Sequence, residues 1–188
     1  MFIAPIPRGR TLIDGKKGLQ CQVSSWERIS DSNLSPRAKV GANYINSRMA
    51  HLQARQDGYD TAILMNCHGK VAEGPGSCFF MVRDNTLVTP PCTASVLESI
   101  TRDTIIRMAR ELLDIRTVER DIDRTELYIC DEAFLCGSAM EITQVVGIDG
   151  YPVADGECGR LTRLLSNTYH DVLTGKHEEY SDWLTPIY

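Results

Sequence analysis

The chain has 188 residues, 43% of them hydrophobic and 24% charged, with a net charge of −5. That size and balance suit one domain with a sizeable core, and the acidic balance argues against nucleic acid or an anionic membrane as the main partner. No apolar run reaches the length of a bilayer span, and Met1 to Arg8 lack the apolar stretch of a secretion signal.

Taken in order, residues 20–26 read as a strand and 31–37 as a loop ending in Pro36-Arg37. A helix is predicted over about 42–57, with Ile45, Met49 and Leu52 on one face and Gly58 as its stop. Strands follow at 61–65, 78–82 and 86–88, joined by turns at Cys67-His68-Gly69-Lys70 and Asp84-Asn85. Pro90-Pro91 ends that run. A second helix spans about 101–113, on a stripe of Ile105, Ile106, Ala109, Leu112 and Leu113. Residues 118–122 read as a strand and 125–129 as a short helical turn. Strands at 133–136 and 142–148 come next, then a tight Asp149-Gly150 turn. The last helix covers about 160–174, with Leu161, Leu164, Leu165, Thr168 and Val172 inward and Gly175 as its stop. This irregular alternation predicts a mixed α/β or α+β domain.

The seven cysteines, Cys21, Cys67, Cys78, Cys92, Cys130, Cys136 and Cys158, are scattered, with no Cys-x-x-Cys pair. They read as free thiols of a cytoplasmic protein, most of them small core residues. The four histidines have no metal-ligand spacing, so no metal is expected.

Lys39 stands out among five lysines. Lys16, Lys17, Lys70 and Lys176 lie in turns or polar segments, whereas Lys39 lies in Ala38-Lys39-Val40-Gly41-Ala42. An ammonium among apolar neighbours is a candidate for a lowered pKa, and a neutral amine attacks carbonyls. A lysine that snorkels to the surface is the plain alternative.

Three downstream segments bear on that choice. Glu73 sits where a strand gives way to Gly74-Pro75-Gly76, and a carboxylate there can pair with a heteroaromatic nitrogen or be a surface residue. Ser99-Ile100-Thr101-Arg102 opens a helix, a natural phosphate cradle as well as a cap. Cys136-Gly137-Ser138-Ala139 joins two strands, with small residues and a hydroxyl donor. Each signal alone is weak. An amine nucleophile, a carboxylate and two anion cradles together suit pyridoxal phosphate.

With those residues in view, the chain strongly resembles the branched-chain amino acid aminotransferases, class IV pyridoxal phosphate enzymes. The matching stretches are Pro36 to Tyr44, Val71 to Gly76, Ile100 to Asp103, Gly137 to Glu141 and Asp182-Trp183-Leu184. The resemblance implies the pseudo-barrel large domain of fold type IV over residues 1–188. Lys39 would bind the cofactor aldehyde and act as the catalytic base. Tyr44 would orient the reacting groups, and Glu73 would pair with the ring nitrogen. Ile100, Thr101 and Ser138 would hold the phosphate, and Ser138 and Ala139 would meet the substrate carboxylate. The implied reaction moves the amino group of leucine, isoleucine or valine to 2-oxoglutarate, in a cytoplasmic homodimer.

Some features depart from the family pattern. The resemblance implies a smaller N-terminal domain ahead of this segment, on the same or a separate chain; the chain here begins just before the strand that leads to Lys39. Ser77-Cys78 stands where the family usually carries Glu-Asn, and Glu98-Ser99 where Pro-Gly is usual. Glu98 is expected to repel a phosphate nearby. A D-amino acid aminotransferase, an aminodeoxychorismate lyase and a cofactor-binding remnant without turnover remain alternatives.

Overall fold

The structure, a computed structural model, describes residues 18–185. The expectations for Met1 to Arg8 and for Lys16 and Lys17 lie outside the described residues. The strands are β1 (Leu19–Glu27), β2 (Thr61–Met65), β3 (Val71–Gly74), β4 (Ser77–Arg83), β5 (Thr86–Thr89), β6 (Thr117–Glu119), β7 (Glu132–Gly137), β8 (Glu141–Ile148) and β9 (Tyr151–Pro152). The helices are α1 (Asn43–Gln56), α2 (Ile100–Glu111) and α3 (Arg160–Leu173).

Six strands close into a ring. The pairing order is β3-β2-β1-β8-β7-β4, and β4 pairs back onto β3. β5 and β6 extend outward from β4, and β9 pairs with β8. This is the expected pseudo-barrel, and closure removes the free edges of the ring. β4 and β7 are apolar at nearly every position because both faces are covered. Phe79, Met81, Ala133 and Leu135 fill the barrel with Cys21, Val23 and Ile63. Alternate residues Cys78, Phe80, Phe134 and Cys136 point the other way, to Ile105 and Met108 of α2 and Leu165 of α3.

The turns follow local chemistry. Asp84 and Asn85 (φ 49° and 56°) make the tight β4–β5 hairpin, and Asp149 and Gly150 (φ 51° and 82°) make the β8–β9 turn. Gly58 and Gly175 end α1 and α3 with φ of 90° and 75°.

The structure departs from the simplest reading of the pattern in three places. On α1, Ile45, Met49 and Leu52 are exposed; the buried face is Asn43, Ser47, Ala50 and Ala54. Small residues let this helix lie close against Ala62 and Leu64 of β2, and that close approach overrides the apolar stripe. On α3, Leu164 is exposed and Tyr169 is buried in its stead. β6 ends at Glu119, short of the expected Ile122. Ile122 drops into the barrel core and accepts a hydrogen bond from the Val71 N–H at 2.9 Å.

The buried face of α1 makes a stability prediction. Leu52→Gln should change unfolding free energy by no more than about 0.5 kcal/mol. Ala54→Leu should cost about 1–3 kcal/mol through overpacking. Urea unfolding midpoints of the two variants read the difference.

Candidate active site

The loop from β1 to α1 carries Lys39. Asn43, buried at the start of α1, ties this loop down by donating from its side-chain amide to the carbonyls of Ser35 and Ala38, both at 2.8 Å. The burial expected around Lys39 is not there: Ala38, Lys39, Val40, Gly41 and Ala42 are all exposed. What sets the lysine apart is its position. Its Nζ donates to Tyr44 Oη at 3.2 Å and lies 5.8 Å from the Tyr44 ring centre. Both residues line a cavity whose other walls include Glu73, Ser99, Ser138 and Ala139.

Glu73 is 5% exposed, so it is no surface carboxylate. One oxygen accepts from Arg28 Nε at 2.6 Å, and the other from the Leu97 N–H at 2.9 Å. Burial pushes its carboxyl upward from the ordinary range; the Arg28 guanidinium, the Leu97 N–H and the Lys39 charge all work against that push. Arg28 is itself 6% exposed, lines the cavity, and its Nη1 is buried with no hydrogen-bond partner among the described residues.

The hairpin after Glu73 needs glycine at its first position. A Cβ on Gly74 would lie 2.4 Å from Ser77 Oγ and 3.2 Å from Leu135 Cδ2. Close packing there keeps β3 and β4 paired at Glu73↔Cys78 and fixes where the carboxylate points.

Ser99 caps α2, its Oγ accepting from the Arg102 N–H at 3.4 Å. Arg102 is buried and bonds the Pro90 carbonyl at 2.9 Å and Glu119 at 2.5 Å, which anchors the helix start. The first-turn N–H groups of Ile100 and Thr101 are free of the helix ladder. These two residues do not line the Lys39–Glu73 cavity. They line an adjoining groove that shares Ser138 with it. Ile100 is 88% exposed, whereas Thr101 is buried in the groove wall that it shares with Tyr169. Ser138 and Ala139 come from the β7–β8 connection.

The charge expected at Glu98 is matched. Arg37 Nε donates to Glu98 at 2.8 Å, and the same guanidinium reaches Asp31 at 3.1 Å. Arg28 escaped the sequence reading. It lies 45 residues from Glu73, and only the β1–β2–β3 pairing joins them, so no local pattern marks it.

A closed six-stranded barrel with an outer helical layer, and a lysine and a buried carboxylate on one cavity, defines this as a fold-type IV enzyme domain. Residues 1–148 match the family described as Amino-transferase class IV, and the chain belongs to that family. A probable branched-chain-amino-acid aminotransferase of Aquifex aeolicus is 42% identical over 176 residues, covering 94% of this chain and 57% of the relative. The structure of the Thermobaculum terrenum branched-chain amino acid aminotransferase in its PLP form superposes with a TM-score of 0.89 at 48% identity, over 92% of this chain and 56% of that one. The Thermoproteus uzoniensis branched-chain aminotransferase with norvaline gives a TM-score of 0.93 at 43% identity, over 98% and 60%. The chain thus spans little more than half the length of the relatives it matches.

Proposed function

We propose that this chain is the cofactor-binding part of a pyridoxal phosphate-dependent aminotransferase. It would move the amino group of leucine, isoleucine or valine to 2-oxoglutarate. The observation that carries the reading is the meeting of the Lys39 amine and the buried Glu73 carboxylate in one cavity. The relatives named for branched-chain amino acids, one of them with norvaline, support an apolar side chain on the substrate.

The donor set fits the cofactor. A carboxylate suits a protonated ring nitrogen, an amine suits an aldehyde, and free helix N–H groups with two hydroxyls suit a phosphate. When bound, pyridoxal phosphate supplies an aldehyde that exchanges amines and a ring that takes up the electron pair left at the substrate α-carbon. Glu73 would hold the proton at the ring nitrogen, and Arg28 keeps Glu73 aimed and opposes the upward push of burial on its carboxyl. Lys39 Nζ would carry the proton removed from the amino acid α-carbon; an amine tethered beside the reacting atoms is suited to that work. Tyr44 orients Nζ through the 3.2 Å hydrogen bond. Ile100, Thr101 and Ser138 would hold the phosphate, and Ser138 and Ala139 would face the substrate carboxylate.

In this reading a further domain or a second copy of the chain covers the open side of the cavity, in a cytoplasmic homodimer. The exposure of Ile100, Val40 and Ile45 supports such a cover.

Borohydride trapping tests the assignment. After incubation with pyridoxal phosphate and reduction, peptide mapping should place a phosphopyridoxyl group on Lys39 and leave Lys70 and Lys176 unmodified. Labelling spread over the exposed lysines would sink the reading. Turnover of leucine separates it from a D-amino acid aminotransferase, which would turn over the D-isomer instead.

A further inference from the structure

Cys78 and Cys136 are register partners across the antiparallel pair β4–β7. Partners on such a pair have Cα atoms roughly 4.5–5.5 Å apart, inside the window of about 4.4–6.8 Å that a disulfide accepts. Register partners also send their side chains to the same face of the sheet. The next pair on that face, Phe80 and Phe134, stacks with ring centres 5.0 Å apart and planes 8° apart, so the two strands lie in close alignment here. The Cys78 thiol donates to the Leu97 carbonyl at 3.9 Å, and both cysteines line the cavity that holds Lys39 and Glu73. No other two cysteines face each other across a ladder among the described residues.

We propose that Cys78 and Cys136 form a redox-active dithiol, converted to a disulfide by a small hydroperoxide that enters the cavity. The Cys78 sulfur attacks the peroxide oxygen, breaking the O–O bond and becoming a sulfenic acid as one water leaves. The Cys136 sulfur then attacks the Cys78 sulfur, the S–S bond forms, and the sulfenic oxygen leaves as a second water with the last thiol proton. Two thiols and one hydrogen peroxide give one disulfide and two waters; the sulfurs lose two electrons and the peroxide gains them.

Access assigns the order of attack. Cys78 keeps 4% exposure at the cavity wall whereas Cys136 has none, so a peroxide in the cavity meets Cys78 first. Cys78 is therefore the attacking sulfur and Cys136 the resolving one. The new bond would join β4, just after the Glu73 hairpin, to β7, just before Ser138. It would clamp together two segments that wall the cavity.

Peptide mapping under non-reducing conditions tests this. The chain without cofactor is treated with hydrogen peroxide, free thiols are blocked, and the digest is analysed by mass spectrometry. The expected product is a Cys78–Cys136 linked peptide that dithiothreitol reverses. Cys136→Ser should stop at a sulfenic acid on Cys78, trapped by dimedone, and Cys78→Ser should leave Cys136 unmodified. Either variant suffices if the other does not fold. Oxidation at Cys67 with Cys78 and Cys136 still reduced would overturn the proposal, as would Cys78 over-oxidised without a link in the native chain. Preloading with pyridoxal phosphate should slow the link at least tenfold. A link that forms equally fast in its presence supports the dithiol and counts against the cofactor's seat, so the two readings fail separately.

Discussion

In the proposed reaction, Lys39→Ala should lower transamination by about a thousandfold or more, because that reading makes Lys39 both the covalent anchor and the proton carrier. The fold should not suffer. Lys39 is exposed and, among the described residues, makes one side-chain hydrogen bond, to Tyr44, so the change in unfolding free energy should stay within about 0.5 kcal/mol. Two further readouts separate a proton carrier from a merely structural lysine. Added small primary amines should restore part of the lost rate, since they can carry the α-proton in place of Nζ. Denaturant midpoints of the parent and variant, measured without cofactor, should coincide. A variant that keeps more than a tenth of the parent rate would remove Lys39 from the mechanism.

Glu73→Gln should cost both activity and stability. Glutamine is close in shape and can still accept from the Leu97 N–H, but it carries no charge for a protonated ring nitrogen. A loss of about a hundredfold to a thousandfold in rate is expected, the size seen when one preorganised electrostatic partner is removed. The stability effect arises without any cofactor. Arg28 and Glu73 are both almost wholly buried, with Nε and Oε1 at 2.6 Å. Removing one member leaves a buried, uncompensated guanidinium, at a cost of about 3–5 kcal/mol. Arg28→Met with Glu73→Gln should recover most of that stability while the rate stays low, because the double variant has no stranded charge. Chemical denaturation of the four proteins, read beside their rates, makes the cycle. Equal stability of the parent and Glu73→Gln would show that the pair is not coupled as its geometry implies.

The sequence made some elements plain and hid others for identifiable reasons. Turns were legible because Asp84-Asn85, Asp149-Gly150, Gly58 and Gly175 announce positive φ through residue type alone. Most strands were legible from β-branched and aromatic runs, although β9, two exposed residues after a turn, carried no signal. The buried face of α1 is hidden from the pattern because small residues do the packing there, and periodicity weights size. Barrel closure depends on β3 pairing with both β2 and β4, a long-range event that no local pattern records.

The candidate site divides in the same way. Lys39, Glu73, Thr101 and Ser138 each sit in a short segment of distinctive residues, so they could be named, and the structure brings Lys39, Glu73 and Ser138 to one cavity with Thr101 in the groove beside it. The apolar neighbours of Lys39 suggested burial, yet the segment lies open beside Tyr44. Arg28 and the Cys78–Cys136 pair became visible only through strand register, because each partnership spans tens of residues.

A crystal structure of the protein loaded with pyridoxal phosphate would test the central claim most directly. Continuous density should run from Lys39 Nζ to the aldehyde carbon, with the ring nitrogen at hydrogen-bond distance from the Glu73 carboxylate and the phosphate at the start of α2. A cofactor attached to any other lysine, or one whose ring nitrogen meets no carboxylate, would contradict the account.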